Sequence, residues 1–205
     1  MKSIVAKALF NSHSYAEYRK LVTDLLSEGK STGNEQSDSL TNYTKLNEAR
    51  MNRLEKTIQV SENLVSKLRD LNNHYIWLVI SEGWCGDAAQ ILPILNKMAH
   101  ESDKKIDLRI VFRDENDELM SHYLTNGGRA IPKVIVICKE AGIVRTHWGP
   151  RPKGATELME KHKKEVGPIN EKIKTDLQLW YLADKGISVQ EELVEIMENI
   201  KYNRL

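Results

Sequence analysis

Two cysteines, five prolines and a near-zero net charge are what this 205-residue chain has least of, and each scarcity excludes something. Cys85 and Cys138 stand far apart, so no disulfide framework holds the chain together, and a reducing cytoplasm is the expected compartment. Lys and Arg number 30 against 29 Asp and Glu. A balance this even generates no global field toward nucleic acid or an acidic membrane surface. No apolar run approaches the ~18 residues that span a bilayer. Lys7 interrupts the N-terminal apolar stretch, so no secretory signal is expected. The six histidines have no metal-ligand spacing with cysteine or carboxylate. Asn126-Gly127-Gly128 is followed by no phosphate-loop pattern and reads as a turn.

What remains is a globular composition, 40% apolar and 29% charged, in a chain long enough to bury a core unaided. Residues 1–74 read as a helical N-terminal extension. A short amphipathic segment carries Leu21, Val22, Leu25 and Leu26, Gly29 to Ser39 is a loop, and one long helix is expected from Thr41 to Asp70. Tyr15, Tyr18, Tyr43, Arg50 and Arg53 read as packing and solvating this arm.

Residues 75–166 differ. Tyr75 to Ile80 is a continuous apolar run, as in a buried strand. A turn from Gly83 to Asp87 and a helix from Ala88 follow. Ile106 to Phe112 is a second strand, then a helix from Asn116, capped by Asp114 or Asn116. Pro132 to Cys138 and Ile143 to Trp148 form a hairpin, and a helix covers Ala155 to Val166. This order gives an α/β domain with a βαβ unit and a hairpin. Residues 167–205 are a C-terminal helical extension, in which Ser188 is the expected cap of the last helix.

Chemistry concentrates at Trp84-Cys85-Gly86-Asp87-Ala88. A cysteine between a strand and its helix meets unpaired N–H groups and the positive helix end, which favour thiolate. Asp87 opposes that ionisation. A proline entering a buried strand, at Ile131-Pro132, fits a first-residue position or a cis bond.

These residues resemble the thioredoxin family. Trp84 to Ala88 looks like W-C-G-P-C, and Ile131-Pro132 like the family's cis-proline pair. The whole chain resembles bacterial thioredoxin-like proteins with a helical arm and a W-C-G-D-A-A-Q block. Later blocks of that group correspond to Arg113 to Asn116, Gly127 to Lys133 and Trp148 to Pro152. The resemblance implies a thioredoxin fold, a central mixed sheet flanked by helices, extended by helices at both ends. It implies Cys85 as nucleophile and Trp84, Gly86, Asp87, Ile131 and Pro132 as the substrate-binding surface. The departures are Ala88 in place of the second cysteine, Asp87 in place of the proline, and Val79 in place of the strand carboxylate.

Two functions stay open. One is monothiol thiol–disulfide exchange through Cys85, acting on protein or glutathione disulfides, with no resident cofactor and glutathione as a candidate co-substrate. The other is a non-catalytic thioredoxin-fold module that binds a protein. Trp84 is either core or rim. Arg129 and Arg151 are either solvated or hold a ligand carboxylate. Cys138 lies roughly 20 Å along its strand from Pro132 and reads as a small buried hydrophobe.

Overall fold

A computed structural model describes residues 2–202. α1 (Lys2–Phe10), α2 (Tyr15–Ser27), α3 (Asp38–Thr57) and α4 (Glu62–Arg69) come first, followed by β1 (Tyr75–Ser81), α5 (Gly86–Glu101) and β2 (Ile106–Phe112). A 3-10 turn (Arg113–Glu115) leads to α6 (Asp117–Ser121), the hairpin β3 (Lys133–Cys138) and β4 (Ile143–Trp148), then α7 (Lys153–Glu165), α8 (Glu171–Asp184) and α9 (Ile187–Tyr202).

Among the described residues the strands form one sheet in the order β2-β1-β3-β4. β1 runs parallel to β2 and antiparallel to β3, and β4 pairs antiparallel with β3. β1 is apolar throughout its centre because strands lie on both sides of it and helices on both faces; Trp77, Leu78, Val79 and Ile80 are fully buried. The outer edge of β2 receives a two-way backbone bridge from His13, its N–H and C=O each 2.8 Å from their Ile110 partners. That bridge satisfies edge groups that would otherwise face solvent.

α5 explains how the extensions attach. It is apolar almost all round, with Ile91, Leu92, Ile94, Leu95 and Met98 buried. A helix of that composition needs cover beyond the sheet, and α3, α4 and α9 supply it. Tyr18, Val22, Met51 and Leu68 from the N-terminal helices, and Val189, Leu193 and Met197 from α9, join the same core as the sheet.

Three local expectations need correction. The segment from Thr41 to Asp70 is two helices, not one. Ile58 turns extended to bury its side chain, and Ser61 starts α4 by accepting the Leu64 N–H. Gln190 of α9 donates to the Gln59 carbonyl exposed by the break. Neither Asp114 nor Asn116 caps α6 with its side chain. Asn116 instead donates to the Phe112 carbonyl, and Asp114 accepts from the Asn34 N–H. Ser188 lies inside α9, where its N–H is held by Asp184 at 3.2 Å.

Because α9 shares the sheet's core, Leu193→Ala should lower global stability by about 2–5 kcal/mol. Urea unfolding should stay a single transition by circular dichroism and tryptophan fluorescence. An unshifted main transition accompanied by a second, earlier one would make α9 a separate unit.

Candidate thiol site between β1 and α5

The turn from Glu82 to Cys85 is clasped by the N-terminal extension. Gly83 donates its N–H to Thr32 Oγ1 at 2.8 Å and accepts from Asn47 Nδ2 at 2.9 Å. Thr32 and Asn47 are buried, as is the Ser31–Thr44 hydroxyl pair behind them at 2.6 Å. Glu82 is fully buried and accepts the Asp114 N–H at 3.0 Å. Burial pushes its carboxyl above the usual range, against the Thr32 and Asp114 donors. The loop before α3 closes over this group at Gly33. A Cβ there would lie 2.7 Å from Asp114 Oδ2 and 3.4 Å from Trp84 Nε1, and its φ of +89° favours glycine. The polar character of residues 29–39 made them read as a plain loop. Thr32, Asn47 and Glu82 carried no sequence signal for the site.

Cys85 is the N-cap of α5. Its Sγ accepts the Ala88 N–H at 3.4 Å and donates to the Ile131 carbonyl at 3.4 Å. The Ile131–Pro132 bond is cis, and the Sγ contact to the Ile131 carbonyl makes the thiol a neighbour of the entry to β3. Trp84 is half-buried, with the Arg113 guanidinium 4.8 Å over its ring. Ala88 and Val79 are fully buried. Cys138 pairs with Tyr75 at the far end of β3, and its thiol meets Glu140 at 3.5 Å. Both cysteines are free thiols.

The C-terminal part of the chain packs against the first turns of α5 beside the thiol. Asp87 is only 7% exposed; its Oδ2 is 2.6 Å from Arg151 Nη2, and its Oδ1 accepts from the Tyr181 hydroxyl at 2.9 Å. Gln90 donates to Gln178 at 2.8 Å, tying α8 to the first turns of α5. Arg151 is aimed by its own loop. Gly149 has φ +107°, and a Cβ on it would lie 2.4 Å from the Pro132 carbonyl. Lys133, itself buried, donates to the Gly149 carbonyl at 2.7 Å. Arg129 instead pairs with Asp117 and lies 3.7 Å from Asp114. Arg129 and Arg151, read from the sequence as either solvated or holding a ligand carboxylate, thus do neither: each pairs with a carboxylate of the chain itself.

Helix-end stabilisation alone would lower the thiol pKa; the full environment reverses it. Cys85 is 7% exposed, and its pKa is pushed up to about 12, by burial first and the Asp87 charge second. The Ala88 and Asp87 N–H groups and Arg151 act in the opposite direction.

Among the described residues no helix is long and apolar enough to cross a membrane, and no three His, Cys, Asp or Glu side chains gather as a metal site. A mixed sheet whose first strand leads through a cysteine turn to a helix, facing a cis proline, defines a thioredoxin-fold protein. The family model for thioredoxin matches residues 33–165, and the chain belongs to that family. Thioredoxin of Bacillus subtilis (strain 168) is 35% identical over 80 residues, covering 38% of this chain and 73% of the relative. Among solved structures, a Pseudomonas aeruginosa protein of unknown function superposes with a TM-score of 0.62 at 16% identity, covering 95% of this chain and 96% of that one. An HIV epitope scaffold gives 0.56 at 18% identity, covering 91% and 99%. Both likenesses concern the fold and extend over the terminal helices.

The raised thiol pKa has a signed consequence. Below pH 9 the thiol is protonated whether folded or not, and its burial contributes fully to stability. Between pH 9.0 and about 12 the unfolded thiol ionises while the folded one holds its proton, so stability falls as pH rises. Wild type should therefore lose stability across that window more steeply than Cys85→Ala. Asp87→Asn removes one raising charge and frees Arg151 to act on the sulfur. The ultraviolet thiolate titration of Cys85 should then move to lower pH, at a cost in stability of up to about 3–5 kcal/mol. An unmoved titration would separate Asp87 from control of the thiol.

Proposed function

We propose that the protein carries out thiol–disulfide exchange with one cysteine, on protein or glutathione disulfides in the cytoplasm. Cys85 is its nucleophile, and Trp84, Gly86, Asp87, Ile131 and Pro132 form its substrate-binding surface. The observation carrying this reading is the position of Sγ, at the N-cap of a 16-residue helix and 3.4 Å from the Ile131 carbonyl beside a cis proline. That juxtaposition puts a sulfur next to the backbone edge along which a substrate chain would lie. Two free cysteines in the chain support a reducing compartment.

The chemistry is one displacement. Cys85 loses its proton to solvent, and its thiolate attacks one sulfur of a disulfide. A Cys85–sulfur bond forms, the original S–S bond breaks, and the second sulfur leaves as thiolate with the electron pair. Ala88 occupies the place of a resolving thiol one helical turn along, so a second, external thiol such as glutathione must attack the mixed disulfide and restore Cys85. With its thiol pKa near 12, the closed arrangement keeps Cys85 protonated. Reaction therefore requires solvent and the substrate disulfide to reach Cys85, which relieves the burial that holds its proton, while Arg151 stays on Asp87 and favours the thiolate.

Incubated with glutathione disulfide, wild type should accumulate a single glutathionyl adduct at Cys85, visible by intact mass and cleared by added glutathione. Ala88→Cys should reduce a protein disulfide without glutathione, at least about tenfold faster than wild type under the same conditions. If native Cys85 takes up neither glutathione nor an alkylating reagent at about pH 8, where a free thiol near pKa 8.5 reacts readily, the non-catalytic binding module replaces this reading.

A further inference from the structure

Beside the thiol turn lies a groove that belongs to the extensions more than to the sheet. It encloses about 590 Å³ between α3 and α8 and reaches Gly86 at its inner end. Leu40 and Leu46 wall it on α3, Met159 on α7, and Ile169 and Leu177 on the other side. Leu46 and Ile169 are 54% and 62% exposed, unusually open for side chains of that size. A concave surface of this volume, with an apolar wall and charged groups gathered on it, suits a small amphipathic ligand.

The polar groups are specific. Three cations and two carboxylates line the groove. Arg151 is paired with Asp87, and Lys174 with Glu171. Arg50 is left: it is half-buried, donates to the neutral Asn47 side chain at 2.8 Å, and among the described residues has no ion-pair partner. Gln178 uses its carbonyl on Gln90, which leaves its amide nitrogen beside Gly86. A Cβ on Gly86 would meet Arg50 Nη1 at 3.5 Å and Gln178 Nε2 at 3.6 Å, so two donors flank the same space at the groove's inner end.

We propose that this groove binds a small carboxylic acid with an apolar stem, its carboxylate on Arg50 and Gln178 and its stem along Leu40, Leu46 and Ile169. Arg50 is the lining cation outside an ion pair, with Asp87 acting on it only at longer range, and the groove's net single positive charge matches a monoanion; a planar guanidinium is the natural partner of a carboxylate. The stem accounts for the exposed leucine and isoleucine, which the ligand would remove from water. The site does not depend on Cys85 reacting.

Calorimetric titration tests this with octanoate, acetate and 1-octanol as probes. Octanoate should bind wild type and Cys85→Ala alike with saturation. Acetate, lacking the stem, and octanol, lacking the charge, should each bind at least about tenfold more weakly. Arg50→Met should weaken octanoate by about ten- to a hundredfold, the range expected for a charged hydrogen bond. Leu46→Asp, an exposed change that leaves the core intact, should weaken it as well. Equal affinity for octanoate and octanol, undiminished octanoate binding in Arg50→Met, or no saturable octanoate binding by wild type would each overturn the proposal. A protein that binds octanoate but forms no glutathionyl adduct would keep the groove and lose the exchange chemistry.

Discussion

The buried carboxylate of Asp87 sets the terms for the rest of the site. A charge removed from water must be paired, or it destabilises the fold by several kcal/mol. Arg151 at 2.6 Å and the Tyr181 hydroxyl at 2.9 Å provide that pairing. Arg151 comes from the loop after β4 and Tyr181 from α8, so one side chain on α5 draws two distant segments to the turn that carries the cysteine. The same pairing carries a chemical consequence. Cys85 beside it is buried too, and the nearby negative charge adds to burial in keeping the thiol protonated.

The placement of Arg151 rests on a second buried charge. Lys133 follows Pro132 and sends its ammonium to the Thr125 hydroxyl and the Gly149 carbonyl, each at 2.7 Å. Burial draws its pKa down, and the two oxygens satisfy its hydrogen-bonding capacity in part. The loop it holds passes so close to Pro132 that residue 149 has no room for a side chain. A chain of contacts therefore runs from β3 through Gly149 and Arg151 to Asp87 and the first turn of α5. On the opposite side, Thr32, Asn47 and Glu82 fix the turn before Cys85 by hydrogen bonds to its backbone and to the neighbouring Asp114. The thioredoxin core contributes the cysteine, the proline, Asp87 and Arg151, while the extensions hold the turn before the cysteine through Thr32 and Asn47 and bind Asp87 through Tyr181.

The parts legible in the sequence were those with a local physical signature. β1 announced itself as an uninterrupted apolar run because it is buried on both faces. The cysteine turn and the Ile131-Pro132 step were readable because glycine, proline and a helix N-terminus constrain the backbone within a few residues. The break between α3 and α4 was not, since Ile58 and Ser61 fit a continuous helix in pattern and leave it only to bury Ile58 and accept the Gln190 contact. Arg129 and Arg151 were identifiable as cations near the site, but their partners were not. Asp117 and Asp87 became those partners through loop paths that no spacing reveals.

By itself, then, the sequence determined the order of strands and helices, the thioredoxin-like core, and the loss of a resolving thiol at Ala88. The element order follows from side-chain type and short-range backbone preference, which act within a turn or a strand; the core and the place of Ala88 follow from the resemblance those elements and motifs carry. Only the tertiary structure decided that Cys85 is buried, that its pKa lies far above that of a free thiol, and that Arg50 lines a groove with no ion pair of its own among the described residues. Each of these depends on solvent exclusion and on charges brought together from remote parts of the chain, and both quantities exist only once the helices have packed.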